Sequence, residues 1–262
     1  MQIPTPSAPV TCIDALTAHE TDPRASSPQN ITSDGQARTV GVLALQGAFA
    51  EHVDYFEACI AQYGHPVHVT LVRTAAQLDR CDALVIPGGE STAMTQIASR
   101  MGLHEALARF VQDPRRAVWG TCAGLILLAR EAADAAPASA PQRPAALVEP
   151  LQALEVAVRR NAFGRQAQSF VATCDFSAFL GPTETQGFPA VFIRAPVIEH
   201  VLDPERVEVL HRLAGADGTA GTGPVVAVRQ GRILGTSFHP ELADDTRFHD
   251  WFLREFVLRD TK

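Results

Sequence analysis

Between residues 39 and 129 short apolar runs alternate with segments of helical period. TVGVLALQG, residues 39 to 47, is an apolar run closed by Gly47 and predicts a buried strand. AEHVDYFEACIAQYG, residues 50 to 64, predicts a helix with Val53, Phe56, Ile60 and Tyr63 on its inward side. PVHVTLV and DALVIPGG, the latter at residues 82 to 89, predict a second and a third strand. Glu90-Ser91-Thr92 opens the next helix, which runs through Ile97 and Met101. AVWGT predicts a fourth strand, and AGLILLA begins another helix. Strands alternating with helices imply an α/β fold with a mostly parallel sheet and helices on both faces. Ligands of such sheets collect beyond the carboxyl ends of the strands. Gly47, Gly88-Gly89 and Cys122 all fall at such ends.

Further along, the runs shorten. LEVAVRR, SFVAT, AVFIRAP, VEVL, PVVAVRQ and RILGTSF each read as a strand, with a hairpin turn at Gln230-Gly231 between the last two. Residues 243 to 258 predict a closing helix that turns Phe248, Trp251, Phe252 and Phe256 inward. The Ala/Pro-rich stretch at 132 to 146 reads as a surface loop inside the domain. Residues 1 to 38 are rich in Pro, Ser, Thr, Ala and Asp and lack periodicity. They read as a disordered extension or as a start placed too far upstream, and composition does not separate the two. The expected organisation is thus an extension at 1–38 and one domain at 39–260.

Composition narrows the function classes. The net charge of -7 offers no basic field for nucleic acid. No apolar stretch approaches the ~20 residues of a membrane span. The first residues lack a basic start followed by an apolar core, and Asp14, Glu20, Asp22 and Asp34 argue against an organelle transit peptide. The five cysteines are widely spaced without a C-x-x-C, so a reducing cytoplasm is expected, with no disulfide framework and no zinc. His52, His65, His68 and His104 are expected on element surfaces, and no metal or cofactor is expected.

Three stretches carry chemistry. In Gly120-Thr-Cys122-Ala-Gly124, small neighbours allow a sharp strand-to-helix turn that lifts the central thiol above the sheet. The following helix presents its amino end, which favours thiolate. The competing reading is an inert packed thiol, since free cysteine is commonly buried. His239 follows RILGTSF and also stands at a strand end, where it would serve as a base. Glu241, two residues on, would fix its tautomer, because i and i+2 face the same way in extended chain. A structural histidine is the alternative. In PGGEST, residues 87 to 92, glycine N–H groups can hold an oxyanion, and Glu90 and Ser91 add polar groups at a helix start; the alternative is a plain capped turn. Together the three describe acyl transfer by a thiolate, a base, an orienting carboxylate and an oxyanion pocket on one rim.

PGGEST, GTCAG and FHPE in this order resemble the class I glutamine amidotransferases over residues 40 to about 258. LALQGAFAEH, RNAFGRQ at 160 to 166 and FIRAP at 192 to 196 narrow the resemblance to the glutaminase subunits of pyridoxal 5'-phosphate synthases. It implies a flavodoxin-like three-layer sandwich and hydrolysis of L-glutamine through a cysteine thioester. Cys122 would be the nucleophile, His239 the general acid and base, and Glu241 its orienter. Gly89 and Ala123 would form the oxyanion hole, and Gly89, Glu90, Ser91, Arg160, Ile193 and Arg194 would bind L-glutamine. It further implies a (β/α)-barrel synthase subunit as partner in a large hetero-oligomer, receiving the ammonia, with residues near Gln46 and His52 facing it. A glutaminase of another biosynthesis and a non-catalytic subunit of the same fold are the rival readings. RNAFGRQ and FIRAP speak against the first, the intact Cys122, His239 and Glu241 against the second.

Overall fold

The structure, a computed structural model, describes residues 37–134, 148–161, 169–180, 187–215 and 217–259. Residues 1 to 36 of the expected extension, 135 to 146 of the expected loop and 162 to 166 of RNAFGRQ lie outside the described residues. The first half alternates as its pattern predicts: β1 (Arg38–Leu43), α1 (Phe49–Tyr63), β2 (Val67–Val72), α2 (Ala75–Leu78), β3 (Ala83–Ile86), α3 (Ser91–Arg100), α4 (His104–Gln112), β4 (Ala117–Thr121) and α5 (Ala123–Leu128). Then follow β5 (Ala129–Asp134), β6 (Leu154–Arg160), β7 (Ser169–Cys174), α6 (Ser177–Leu180), β8 (Phe188–Ile193), β9 (Val197–Val201), β10 (Glu208–Arg212), β11 (Val225–Gln230) and β12 (Ile233–Thr236). A 3-10 turn (Pro240–Leu242), α7 (Arg247–Phe252) and a π-helical turn (Leu253–Val257) close the described chain.

One sheet runs β2-β1-β3-β4-β12-β11-β9-β6-β5, with β10 added beside β11. The β1-β2, β1-β3, β3-β4 and β4-β12 pairs are parallel, which makes one continuous parallel half. Beyond β12 the sheet turns mostly antiparallel, starting at the hairpin turn around Gly231, where Gln230 pairs with Ile233. β7 and β8 form a separate antiparallel pair.

Strand alternation sorts the side chains into two cores, one on each face. Leu43, Leu84, Ile86 and Val118 pack with Met94, Leu107, Phe110 and Leu125 from α3, α4 and α5. Val40, Val42, Ala83, Val85 and Trp119 pack on the other face with Phe56 of α1 and Phe248 and Phe252 of α7. The result is the three-layer sandwich expected. The second core is aromatic: the Phe248 ring lies 5.2 to 5.4 Å from those of Phe176, Phe188 and Phe238. Truncating such a buried phenylalanine to alanine typically costs about 3–5 kcal/mol.

Three expectations need correction. The fully buried residues of α1 are His52, Phe56 and Cys59; Val53 and Ile60 pack partly buried against the same core as expected, and of the expected set only Tyr63 turns outward. Tyr63 is 49% exposed, because the helix turns its polar-looking His52 edge onto Trp119. β5 follows α5 without a break, so AGLILLA gives a helix of only six residues and its dipole is correspondingly weak. The closing helix starts at Arg247, after the 3-10 turn, and loosens into the π-helical turn.

Candidate active site

Cys122 stands between β4 and α5 with φ 47° and ψ -101°. Such a backbone is strained for a residue with a side chain and persists only where its surroundings impose it. Its N–H donates to the Thr236 carbonyl of β12 at 2.8 Å, and its own carbonyl accepts from the Ile126 N–H at 3.3 Å. The residue therefore belongs to strand and helix at once. The flanking glycines make this corner fit: a Cβ on Gly120 would sit 2.6 Å from the Gly124 backbone, and one on Gly124 would sit 1.9 Å from the Ile86 oxygen. Cys122 is 6% exposed and faces a cavity, whereas Cys59, Cys81 and Cys174 are closed into the cores at 2% or less. Burial pushes those three thiols up, to about 12, 11 and 12 respectively.

His239 reaches the same rim because β12 is the neighbour of β4, with Thr236 opposite Thr121. Its N–H donates to the Val191 carbonyl of β8 at 2.8 Å, which fixes the chain there. The ring lies close against Gly88, where a Cβ would meet Cε1 at 2.2 Å. Its Nδ1 is 2.7 Å from Glu241 Oε1. The two side chains meet through the 3-10 turn at Pro240–Leu242, not through the strand alternation expected. Burial works to lower the His239 pKa, but the Cys122 sulfur and the Glu241 carboxylate outweigh it and raise it to about 10. Glu241 is 2% exposed. Burial works to raise its pKa, and the His52 and His239 imidazoles outweigh it, so it is held below the usual carboxylate range.

The opposite wall is more open. Gly89, Glu90, Ser91, Arg160, Ile193 and Arg194 line one cavity of about 430 Å³ together with Cys122 and His239. Glu241 and Ala123 stand just behind its surface, 2% and 1% exposed. Glu90 caps α3, accepting from the Thr92 and Ala93 N–H groups at 3.0 and 2.7 Å. Burial works to raise its pKa, and these bonds together with Arg160 lower it. Arg160 bridges Glu90 at 3.4 Å and Asp134 at 3.3 Å. Ile193 brings its carbonyl to 4.0 Å from the Cys122 sulfur, and Arg194 follows with φ 45°. The Gly88 carbonyl accepts from the Ala48 N–H at 3.0 Å, which fixes the peptide plane carrying the Gly89 N–H. Ala123 opens α5, where first-turn N–H groups have no partner within the helix.

The sequence reading missed two groups. Gln46 Oε1 accepts from the Glu90 N–H at 2.7 Å and so ties the loop after β1 to the loop after β3. His52, expected on the surface and near a partner, is fully buried, with Nε2 3.3 Å from Glu241 Oε2. The spacing of His52, Phe56 and Cys59 at i, i+4 and i+7 was the signal for it. Of the other three histidines placed on surfaces, His65 is half-buried and bonded to Asp250 Oδ1 at 2.7 Å, and His104 is half-buried; His68 alone is exposed.

Among the described residues no cluster of three or more His, Cys, Asp or Glu side chains is arranged to hold a metal ion. Nor is any described helix long and apolar enough to cross a membrane.

Residues 42–258 match a family model described as the SNO glutamine amidotransferase family. A Saccharomyces cerevisiae protein named pyridoxal 5'-phosphate synthase subunit SNO1 is 52% identical over 224 residues, 84% of this chain and 93% of the relative. A Corynebacterium jeikeium protein named pyridoxal 5'-phosphate synthase subunit PdxT is 44% identical over 215 residues, 82% of this chain and 95% of the relative. A solved structure described as a glutamine amidotransferase superposes with a TM-score of 0.62 at 39% identity, covering 82% of this chain and 96% of the other.

Proposed function

The chain belongs to the SNO glutamine amidotransferase family, and from that premise we propose that it is the glutaminase subunit of a pyridoxal 5'-phosphate synthase. It hydrolyses L-glutamine to L-glutamate and ammonia and delivers the ammonia to the synthase subunit for vitamin B6 synthesis. The observation that carries this reading is the meeting of Cys122 and His239 at the ends of paired strands, with His239 Nδ1 bonded to Glu241 at 2.7 Å.

Glutamine's α-carboxylate and α-ammonium suit the opposed charges of Arg160 and Glu90, with Ser91, Ile193 and Arg194 completing the wall. The Cys122 sulfur attacks the side-chain carboxamide carbon. Charge develops on the carbonyl oxygen, where the Gly89 and Ala123 N–H groups receive it. His239, already carrying a proton, gives it to the departing nitrogen, and ammonia leaves behind a glutamyl thioester. His239, now neutral, takes a proton from water as the water attacks the thioester. Glutamate departs, and the thiolate and imidazolium are restored. Glu241 keeps the Nδ1–H side of the ring fixed, so Nε2 does the proton work.

The partner in this reading is a (β/α)-barrel synthase subunit in a large hetero-oligomer. The test is ammonia release from glutamine by the purified chain, alone and mixed with that subunit. Turnover evoked by the B6 synthase subunit is expected. Turnover evoked only by another biosynthetic partner would redirect the assignment, and no turnover with any partner would favour a binding subunit.

A further inference from the structure

Behind the cavity lies a second, wholly buried polar layer. His52 of α1 and His249 of α7 are each 0% exposed, and His52 Nδ1 is 2.9 Å from His249 Nε2. His52 Nε2 is aligned on Thr121 Oγ1 at 3.3 Å. Glu241 Oε2 lies at the same 3.3 Å, off that axis. That oxygen is otherwise an orphan: it is buried and has no aligned hydrogen-bond donor. The groups facing His52 are thus His249 from α7, Thr121 from β4, Glu241 from the 3-10 turn and, farther off, His239. Trp119 closes the remaining side, ring edge to ring face at 5.5 Å.

The tautomers follow from the charges. A lone pair on His52 Nε2 would be repelled by an ionised carboxylate oxygen 3.3 Å away, even off axis, so that nitrogen carries the proton. Nδ1 is then an acceptor, and His249 Nε2–H is its donor. His249 Nδ1 is left as a buried acceptor without a partner. Burial first, and then the neighbouring histidines, lowers the His52 pKa to about 3 in spite of Glu241, and burial lowers that of His249 to about 3. Both rings are therefore neutral in the working enzyme. What His52 gives Glu241 is an N–H dipole, not a positive charge.

We propose that His52 is a positioning residue for the glutaminase reaction. Its Nε2–H, fixed in tautomer by His249, holds the Glu241 carboxylate ionised and turned toward His239. The proton-bearing edges then run in one direction, from His249 through His52 to the far side of Glu241, while His239 holds the near side. One carboxylate oxygen is hydrogen-bonded by His239, and the other lies 3.3 Å from His52 Nε2, off the N–H axis, in a site closed to water. Without the far contact, a 2% exposed carboxylate would keep its charge less readily. The inference rests on the glutaminase reading above.

Two substitutions separate positioning from mere packing. Gln in place of His52 sets an amide N–H near the former Nε2, within reach of Glu241. Asn sets one only near the former Nδ1, toward His249. Glutamine hydrolysis is followed with the full chain and the synthase subunit, for kcat, KM and the pH profile of kcat/KM. The iodoacetamide reaction of Cys122, mapped by mass spectrometry, is followed in parallel and needs no turnover. His52→Asn is expected to lower kcat about ten- to a hundredfold with KM within about threefold. It should also shift the acid limb of kcat/KM to higher pH and slow alkylation of Cys122. His52→Gln is expected to stay within about threefold of wild type in every readout. Equal loss in both variants, or loss in neither, overturns the proposal, as does melting of both far below wild type without rescue by Gln. If wild type itself releases no ammonia, the glutaminase reading falls, and the alkylation contrast still decides the role of His52.

Discussion

The two walls of the cavity are built in different ways. The wall bearing Cys122 and His239 hangs from β4 and β12, locked in register and backed by buried Glu241 and His52. The facing wall, with Glu90, Arg160, Ile193 and Arg194, hangs from turns and strand ends and lies partly in water. A proton-transfer apparatus depends on positions fixed to a fraction of an ångström and on charges kept from solvent. A surface that grips a zwitterion tolerates more movement, because salt links of this kind are individually modest. The difference predicts that lesions in the first wall strike kcat and lesions in the second strike KM.

The most severe break is Cys122→Ala. Ammonia release should fall by at least about a thousandfold while the melting temperature and synthase binding stay near wild type, since only a sulfur is lost. Retained release in that variant would refute the nucleophile. His239→Asn is nearly as damaging, with a loss above about a hundredfold in initial rate; a loss below about tenfold would rule it out as the base. Gly88→Ala tests the closeness of the wall itself. A Cβ there would stand 2.2 Å from His239 Cε1, so the imidazole must move. The expected loss is about tenfold or more in kcat, with KM far less affected. Arg160→Gln sharpens the other side: KM for glutamine should rise about tenfold while kcat holds within a few-fold. A kcat collapse in steady-state assays of this variant would erase the distinction between the walls.

The comparison extends to stability and pH. His52 and His249 have folded pKa values lowered from 6.5 to about 3. Between those values the unfolded chain binds protons that the folded chain refuses, so stability rises with pH across that window and is lost as acid is added. The slope approaches about 1.4 kcal/mol per pH unit for each histidine well inside the window. His239, protonated in both states below 6.5, adds no slope there. Thermal melts from neutral pH down toward 4.5 should show the decline, and His52→Gln should make it shallower.

Much of the wall bearing Cys122 and His239 was legible in the sequence. In the parallel half, β1, β3 and β4 announce themselves as apolar runs closed by Gly47, Gly88-Gly89 and Cys122, and such ends are where ligands gather. What stayed hidden required the third dimension. That β12 lies beside β4 cannot be read from local periodicity, because the two are joined through the whole antiparallel extension. His52 looked like a surface residue because a histidine on an amphipathic helix usually faces water. Its spacing with Phe56 and Cys59 marks an inward stripe, which α1 packs against Trp119 and α7. The meeting of His239 and Glu241 was anticipated for the wrong geometric reason, since Pro240 starts a helical turn and does not extend the strand. β5 and β9 escaped because AREAAD and VIEHV mix polar and apolar residues on an irregular part of the sheet.

The parallel pairing of β4 with β12 has a consequence for the chain as it is made. Residue 121 must wait for residue 236 to leave the ribosome before its neighbour exists. Contacts so distant in sequence form late, after costly loop closure. A nascent chain therefore holds Cys122 before His239 can stand beside it, and the two share a rim only once the sheet has closed.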